Sequence, residues 1–167
     1  FLKLFRETPD HQFVPTGIQS LDDKIMGLMQ GHFTVIKAPT GIGKTEVMRF
    51  LEYNLIQKNV PFASWHLEET KLRSLLGLVS YSLGMNVTRR DLIDTQGATE
   101  QVEDAIRKIA KNECIYQFFL GDGQGTEELC EQIRYFREAC DVRYVFFEPI
   151  QDVVSGRSES SKEELLS

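Results

Sequence analysis

The sequence predicts an α/β fold, a mostly parallel sheet with helices on both faces. Three observations predict it. Short β-branched and aromatic runs recur along the chain, amphipathic runs separate them, and a Gly-rich turn joins one such pair in FTVIKAPTGIGKTEVMRF, Phe33 to Phe50. Strands alternating with helices pair in parallel and leave both sheet faces to be covered.

The elements follow in order. Residues 1 to 14 mix charge with Phe and Leu and lead into a turn at Pro15-Thr16-Gly17. Ser20-Leu21-Asp22-Asp23 opens a short helix that closes near Gly27. Phe33 to Lys37 reads as a compact buried strand, and Thr45 to Gln57 as a helix packed on a sheet through Val47, Met48, Phe50, Leu51 and Leu55. Pro61 to Leu67 is the next strand and Lys71 to Leu83 the next helix. Glu100 to Lys111 places Val102, Ala105, Ile106 and Ile109 on one helical face. Ile115 to Leu120 returns to strand character, Glu127 to Cys140 is an amphipathic helix through Leu129, Ile133 and Phe136, and Tyr144 to Phe147 is a short strand. The tail GRSESSKEELLS starts one more helix after a Ser-rich loop. No internal repeat is visible.

Composition bounds the function. A chain of 167 residues fits one domain, residues 1–167, that buries a core without disulfides. Hydrophobic residues make up 41% and charged residues 26%, and the net charge of −6 argues against a surface that is basic overall. A nucleic-acid partner then needs a local basic patch or another part of the protein. Cys114, Cys130 and Cys140 are odd in number and lack C-x-x-C spacing, which fits a reducing compartment and argues against a structural zinc site. No run of about 18 apolar residues and no charged-then-apolar leader is present. The expectation is a soluble, intracellular protein with no membrane partner.

The turn after Lys37 carries the chemistry. Ala38-Pro39-Thr40-Gly41-Ile42-Gly43-Lys44-Thr45 is a P-loop in which Ala38 replaces the first Gly of G-x-x-x-x-G-K-[ST]. Gly41 and Gly43 let backbone N–H groups turn inward and approach a phosphate closely, and the following helix adds its positive end. Lys44 brings a mobile charge to the β- and γ-phosphates, and the Thr45 hydroxyl can bind Mg²⁺. The nucleotide cradle therefore runs from Ala38 through Glu46, its ligand ATP or another NTP.

Hydrolysis also needs a carboxylate for water and another near the metal. Glu68 ends the strand in Ser64-Trp65-His66-Leu67-Glu68-Glu69, and parallel-sheet enzymes place their chemistry at the carboxyl ends of strands. It would activate water. Alternatively, Glu68 and Glu69 supply negative charge to the first turn of the next helix, and spacing alone leaves both readings open. Glu148 follows Tyr144-Val145-Phe146-Phe147, the place for a carboxylate that holds Mg²⁺ through water; the other reading is an exposed acid in a turn before Pro149.

The order of these motifs resembles a known family. Thr16-Gly17-Ile18 with Leu21-Asp22, the P-loop, Leu67-Glu68-Glu69-Thr70, and Phe147-Glu148-Pro149-Ile150 with Val153-Val154-Ser155-Gly156 are similar to the RecA-like motor core of DnaB-type replicative helicases. The similarity is greatest to the branch of phage primase-helicases and mitochondrial Twinkle, and it covers essentially the whole chain. It implies a RecA-like P-loop NTPase core in which Lys44 and Thr45 serve the phosphates and Mg²⁺, Glu68 is the catalytic base, and Glu148 stands on the metal side. Glu148 occupies a position where the family usually has Asp, and Pro149 one where close relatives often have His. The resemblance also implies a hexameric ring, single-stranded DNA as partner, 5′-to-3′ movement, and DNA loops and an arginine finger beyond this chain's end. The segment is thus expected to be part of a motor.

Smaller features have plainer readings. Gly121-Asp122-Gly123-Gln124-Gly125 lacks Lys-Ser/Thr and reads as a strand-to-helix connection. His66 shares the strand face of Glu68, either polarising the site or resting as a satisfied strand histidine, while Trp65 faces the core. Arg89-Arg90 is a solvated pair or a phosphate contact, and Glu159, Glu163 and Glu164 form a solvated face. Two rivals to the helicase reading are a RadA- or KaiC-like RecA relative acting in recombination or regulation, and a nucleotide-binding assembly module that does not hydrolyse. For a helicase, a primase or polymerase is a further candidate partner, and the compartment is bacterial or phage-infected cytoplasm or the mitochondrial matrix.

Overall fold

The computed structural model describes residues 13–39, 41–89, 98–118 and 126–148. Thr40, residues 1–12, Arg90, the 121–125 connection, Pro149 and the serine-rich tail lie outside the described residues. The chain divides into two compact units, Phe1–Lys44 and Thr45–Ser167.

In the first unit, β1 (Phe13–Val14) pairs antiparallel with β2 (Leu28–Met29), Phe13 opposite Met29 and Val14 opposite Leu28. Helix α1 (Gln19–Ile25) lies between them in the chain. The Asp22 carboxylate organises the turn before it. It accepts from the Thr16 backbone N–H and the Thr16 hydroxyl, each at 2.7 Å, and from the Gly17 N–H at 3.2 Å. A buried threonine and a turn N–H are thereby satisfied, which accounts for the spacing of Thr16-Gly17 and Asp22. Past α1 the chain turns through Met26 and Gly27 at φ 60° and 92°. A Cβ on Gly27 would stand 2.6 Å from the Val14 carbonyl oxygen, so only glycine fits this approach to β1.

Phe33 to Lys37 departs from expectation. It forms no strand and is exposed, Phe33 by 79% and Val35 by 64%. Aromatic and β-branched residues form a strand only where a ladder and a packed face receive them, and among the described residues this segment has neither.

Among the described residues, the second unit holds a parallel three-stranded sheet in the order β4-β3-β5, with β3 (Phe62–His66) between β4 (Ile115–Phe118) and β5 (Tyr144–Glu148). Helices α2 (Lys44–Gln57), α3 (Lys71–Leu83), α4 (Thr99–Ala110) and α5 (Thr126–Ala139) connect and cover it. All five residues of β3 are buried, and alternation divides them. Ala63 and Trp65 face α5, where Leu129, Ile133 and Phe136 complete a core. The Trp65 ring stacks on Phe118 at 4.7 Å and Phe147 at 5.0 Å, its two register partners. The other face meets α2 through His66 and Glu52, and α3 through Gln117 and Ser74. Thr70 caps α3 by accepting from the Arg73 N–H, and Gly84 ends it in the left-handed region. In this unit, helix and strand limits agree with the sequence expectation to within a residue or two where described.

Candidate active site

Gly41 and Gly43 take φ values of 83° and 101°, the left-handed conformation that a phosphate-cradling turn demands. No atom lies within 4 Å of a Cβ built on Gly41, so the backbone angle alone calls for glycine there. The Lys44 ammonium donates to the Ala38 carbonyl at 3.1 Å, closing the loop on itself. Lys37, Pro39 and Ile42 are exposed, and Ala38 and Gly43 are half-buried.

In the second unit the first turn of α2 meets the carboxyl end of β5. The Thr45 hydroxyl donates to Glu148 Oε1 at 2.5 Å. Glu148 is buried beside His66, its register partner on β3, and its carbonyl accepts from the Leu67 N–H at 2.8 Å, so the ladder runs one residue past β3. A hydroxyl and a carboxylate held this close are hard oxygen donors of the kind that Mg²⁺ takes when it shares its shell with phosphates and water, and the pair fits such an ion. Glu148 keeps this contact despite being a methylene longer than Asp.

Glu68 lies in the bend two residues after β3 and is exposed. Its neighbour Glu69 turns inward. Glu69 Oε2 accepts from Arg49 Nη2 at 2.7 Å, and Glu69 Oε1 lies 3.6 Å from His66 Nδ1. Nε2 of His66 is 3.0 Å from Glu52 Oε1. Arg49 also donates to Glu46, whose backbone carbonyl and carboxylate accept from the Tyr81 hydroxyl. Glu46 thus faces α3, and the acid pair after β3 does not sit in the first turn of α3, which begins at Lys71.

Electrostatics follow from this packing. Burial alone pushes His66 down, but the bond to Glu52 and the charges of Glu52, Glu69 and Glu148 outweigh it and hold His66 above its ordinary value. Arg49 follows the same logic, with Glu69 and Glu46 overcoming burial to raise it. Sequence inspection missed Arg49 and Glu52, and read Glu69 only as charge for the next helix and as part of the Leu67-Glu68-Glu69-Thr70 run. The signal was present: with Met48, Leu51, Leu55 and Ile56 they show Arg49 and Glu52 on the buried stripe of α2, and buried charges require partners. A cleft of about 740 Å³, lined by Glu46, Arg49, Gly77 and Tyr81 among others, opens between α2 and α3.

A parallel sheet covered on both faces, with a Gly-Lys-Thr turn heading a helix, defines an α/β P-loop domain. Its family is specific: the DnaB-like helicase C terminal domain matches residues 13–167, and the chain belongs to that family, with its RecA-like fold. Two curated relatives, from Chlamydia trachomatis serovar L2 (strain ATCC VR-902B / DSM 19102 / 434/Bu) and from Chlamydia trachomatis, are each described as a probable plasmid replicative DNA helicase. Each is 28% identical over 157 residues, covering 90% of this chain and 34% of the relative. The chain spans about a third of the length of these relatives. Among the described residues, no helix is long and apolar enough to cross a membrane.

Proposed function

We propose that the chain is the ATPase core of a replicative DNA helicase, binding Mg-ATP and, in a hexameric ring, coupling hydrolysis to movement along single-stranded DNA. The contact between Thr45 and Glu148 carries this reading, because it brings the P-loop threonine to the acid ending β5. The backbone from Ala38 to Lys44 cradles phosphate, and the Lys44 ammonium exchanges the Ala38 carbonyl for the β- and γ-phosphates. Thr45 and Glu148 hold Mg²⁺, which when bound neutralises charge on the phosphates. Glu68, exposed at the carboxyl end of the sheet, orients and deprotonates the attacking water. DNA loops and an arginine finger from elsewhere in the motor complete the site. The relatives' description as plasmid replicative helicases supports DNA replication as the process and an intracellular setting.

The test is ATP turnover by the full-length protein with and without single-stranded DNA, beside Glu68→Gln. The expected result is stimulation by DNA that disappears in the variant. Tight ATP binding without turnover, even with DNA, would instead identify a non-hydrolysing assembly module.

A further inference from the structure

Resting on that reading, we propose that Arg49, Glu69 and Gly77 form a latch that fixes the turn carrying Glu68 against helix α2, making all three positioning residues for hydrolysis. Glu68 and Glu69 share a peptide bond yet occupy opposite environments. The side chain of Glu68 is exposed, whereas that of Glu69 is buried, with Oε2 accepting from Arg49 at 2.7 Å and Oε1 lying 3.6 Å from His66 Nδ1 without a hydrogen bond. The turn is therefore pinned through Glu69 and leaves Glu68 free to face water.

The other end of the latch belongs to the phosphate-binding helix. Arg49 follows Thr45 by four residues, so the two share a face of α2. A displacement of the first turn of α2 therefore reaches the Glu68 turn through one guanidinium. Gly77 supplies the third part. It sits inside α3, where glycine weakens a helix, and its φ is not in the left-handed region. Space explains it: a Cβ there would stand 2.1 Å from Arg49 Nε, 2.3 Å from Cδ and 2.6 Å from Cζ. The guanidinium is thus laid across the bare backbone of α3 and aimed at Glu69. A buried ion pair is a weak source of stability beside an apolar substitute, but it imposes direction and distance. Direction and distance are what a water-activating carboxylate needs, since a displacement of about 1 Å costs roughly 100-fold in rate.

The test compares Arg49→Lys, Glu69→Gln and Gly77→Ala with the wild-type full-length protein on single-stranded DNA, reading kcat and KM for ATP and checking folding by circular dichroism. Each variant is expected to lower kcat roughly 10- to 100-fold while KM changes less than about threefold. Gly77→Ala removes no charge, so its matching split points to position. The double variant Arg49→Lys/Gly77→Ala should fall no further than the more impaired single one, because both break one device. Wild-type turnover with unchanged kcat in folded Arg49→Lys and Gly77→Ala overturns the latch and leaves the helicase reading standing. Absence of turnover in the wild type overturns both.

Discussion

Thr45 Oγ1 and Glu148 Oε1 stand 2.5 Å apart, although 103 positions separate the two residues. The helix that starts at Lys44 presents the hydroxyl, and β5, held in register against β3, presents the carboxylate. Neither element creates the pair alone.

On the proposed reading, removing the Thr45 hydroxyl should weaken Mg²⁺ binding without emptying the cradle. Thr45→Ala is expected to raise the Mg²⁺ concentration needed for half-maximal ATP turnover by roughly tenfold, with Thr45→Ser close to wild type. A Mg²⁺ titration of turnover reads this directly. Equal midpoints for Ala and wild type would take Thr45 out of the metal's shell.

His66 should make stability depend on pH in a defined direction. Its pKa is raised because Glu52, with Glu69 and Glu148, outweighs the burial that pushes it down. The folded protein therefore holds the proton more tightly than the unfolded chain. The resulting stability is fully present below the unfolded value of about 6.5 and is lost as pH rises through the raised folded value. The Tm difference between wild type and His66→Gln should shrink across that rise. A difference that stays constant, or grows with pH, contradicts the charged histidine.

Trp65 holds the sheet to α5. It is fully buried, stacked on Phe118 and Phe147 and set edge-on to Phe136. Trp65→Ala should cost about 3–5 kcal/mol by loss of burial and creation of a cavity, measured by urea unfolding followed by circular dichroism because Trp65 is the sole tryptophan. A loss below about 1 kcal/mol would mean that the cavity collapses.

Gly27→Ala tests the first unit separately. A left-handed φ of 92° and the Val14 oxygen 2.6 Å from the new Cβ predict a local cost of about 1–3 kcal/mol. Hydrogen exchange should quicken at the β1–β2 pair and remain unchanged in β3. Unaltered protection at Val14 and Leu28 would show that the turn relaxes freely.

Asp22→Ala should loosen the same unit by a different route. It leaves the buried Thr16 hydroxyl and the Thr16 and Gly17 N–H groups without their acceptor, at a cost of about 1–3 kcal/mol. Asp22→Asn keeps an acceptor oxygen and should lose less. Equal losses in the two variants, read by hydrogen exchange at Thr16 and Gly17, would show that the carboxylate's second oxygen is indispensable.

Much of the fold was legible because its signals are local. The apolar spacing of Thr45 to Gln57, the compact runs Pro61 to Leu67 and Tyr144 to Phe147, and the Gly-Ile-Gly-Lys-Thr turn each fit in a short window, and helices, strands and left-handed glycines stand there. Phe33 to Lys37 shows the limit of such signals, since strand propensity becomes a strand only when a neighbouring ladder accepts it. The sequence by itself determined the α/β class, the Gly-Ile-Gly-Lys-Thr turn and the two acids, Glu68 and Glu148, placed after strand-like runs. Only the tertiary structure decided that Glu148 meets Thr45, that Glu69 turns inward while Glu68 stays out, and that Arg49, Glu52 and His66 form one buried charge network. Those pairings depend on sheet register and on which helix face lands on which strand, and both arise from contacts between residues far apart in the chain.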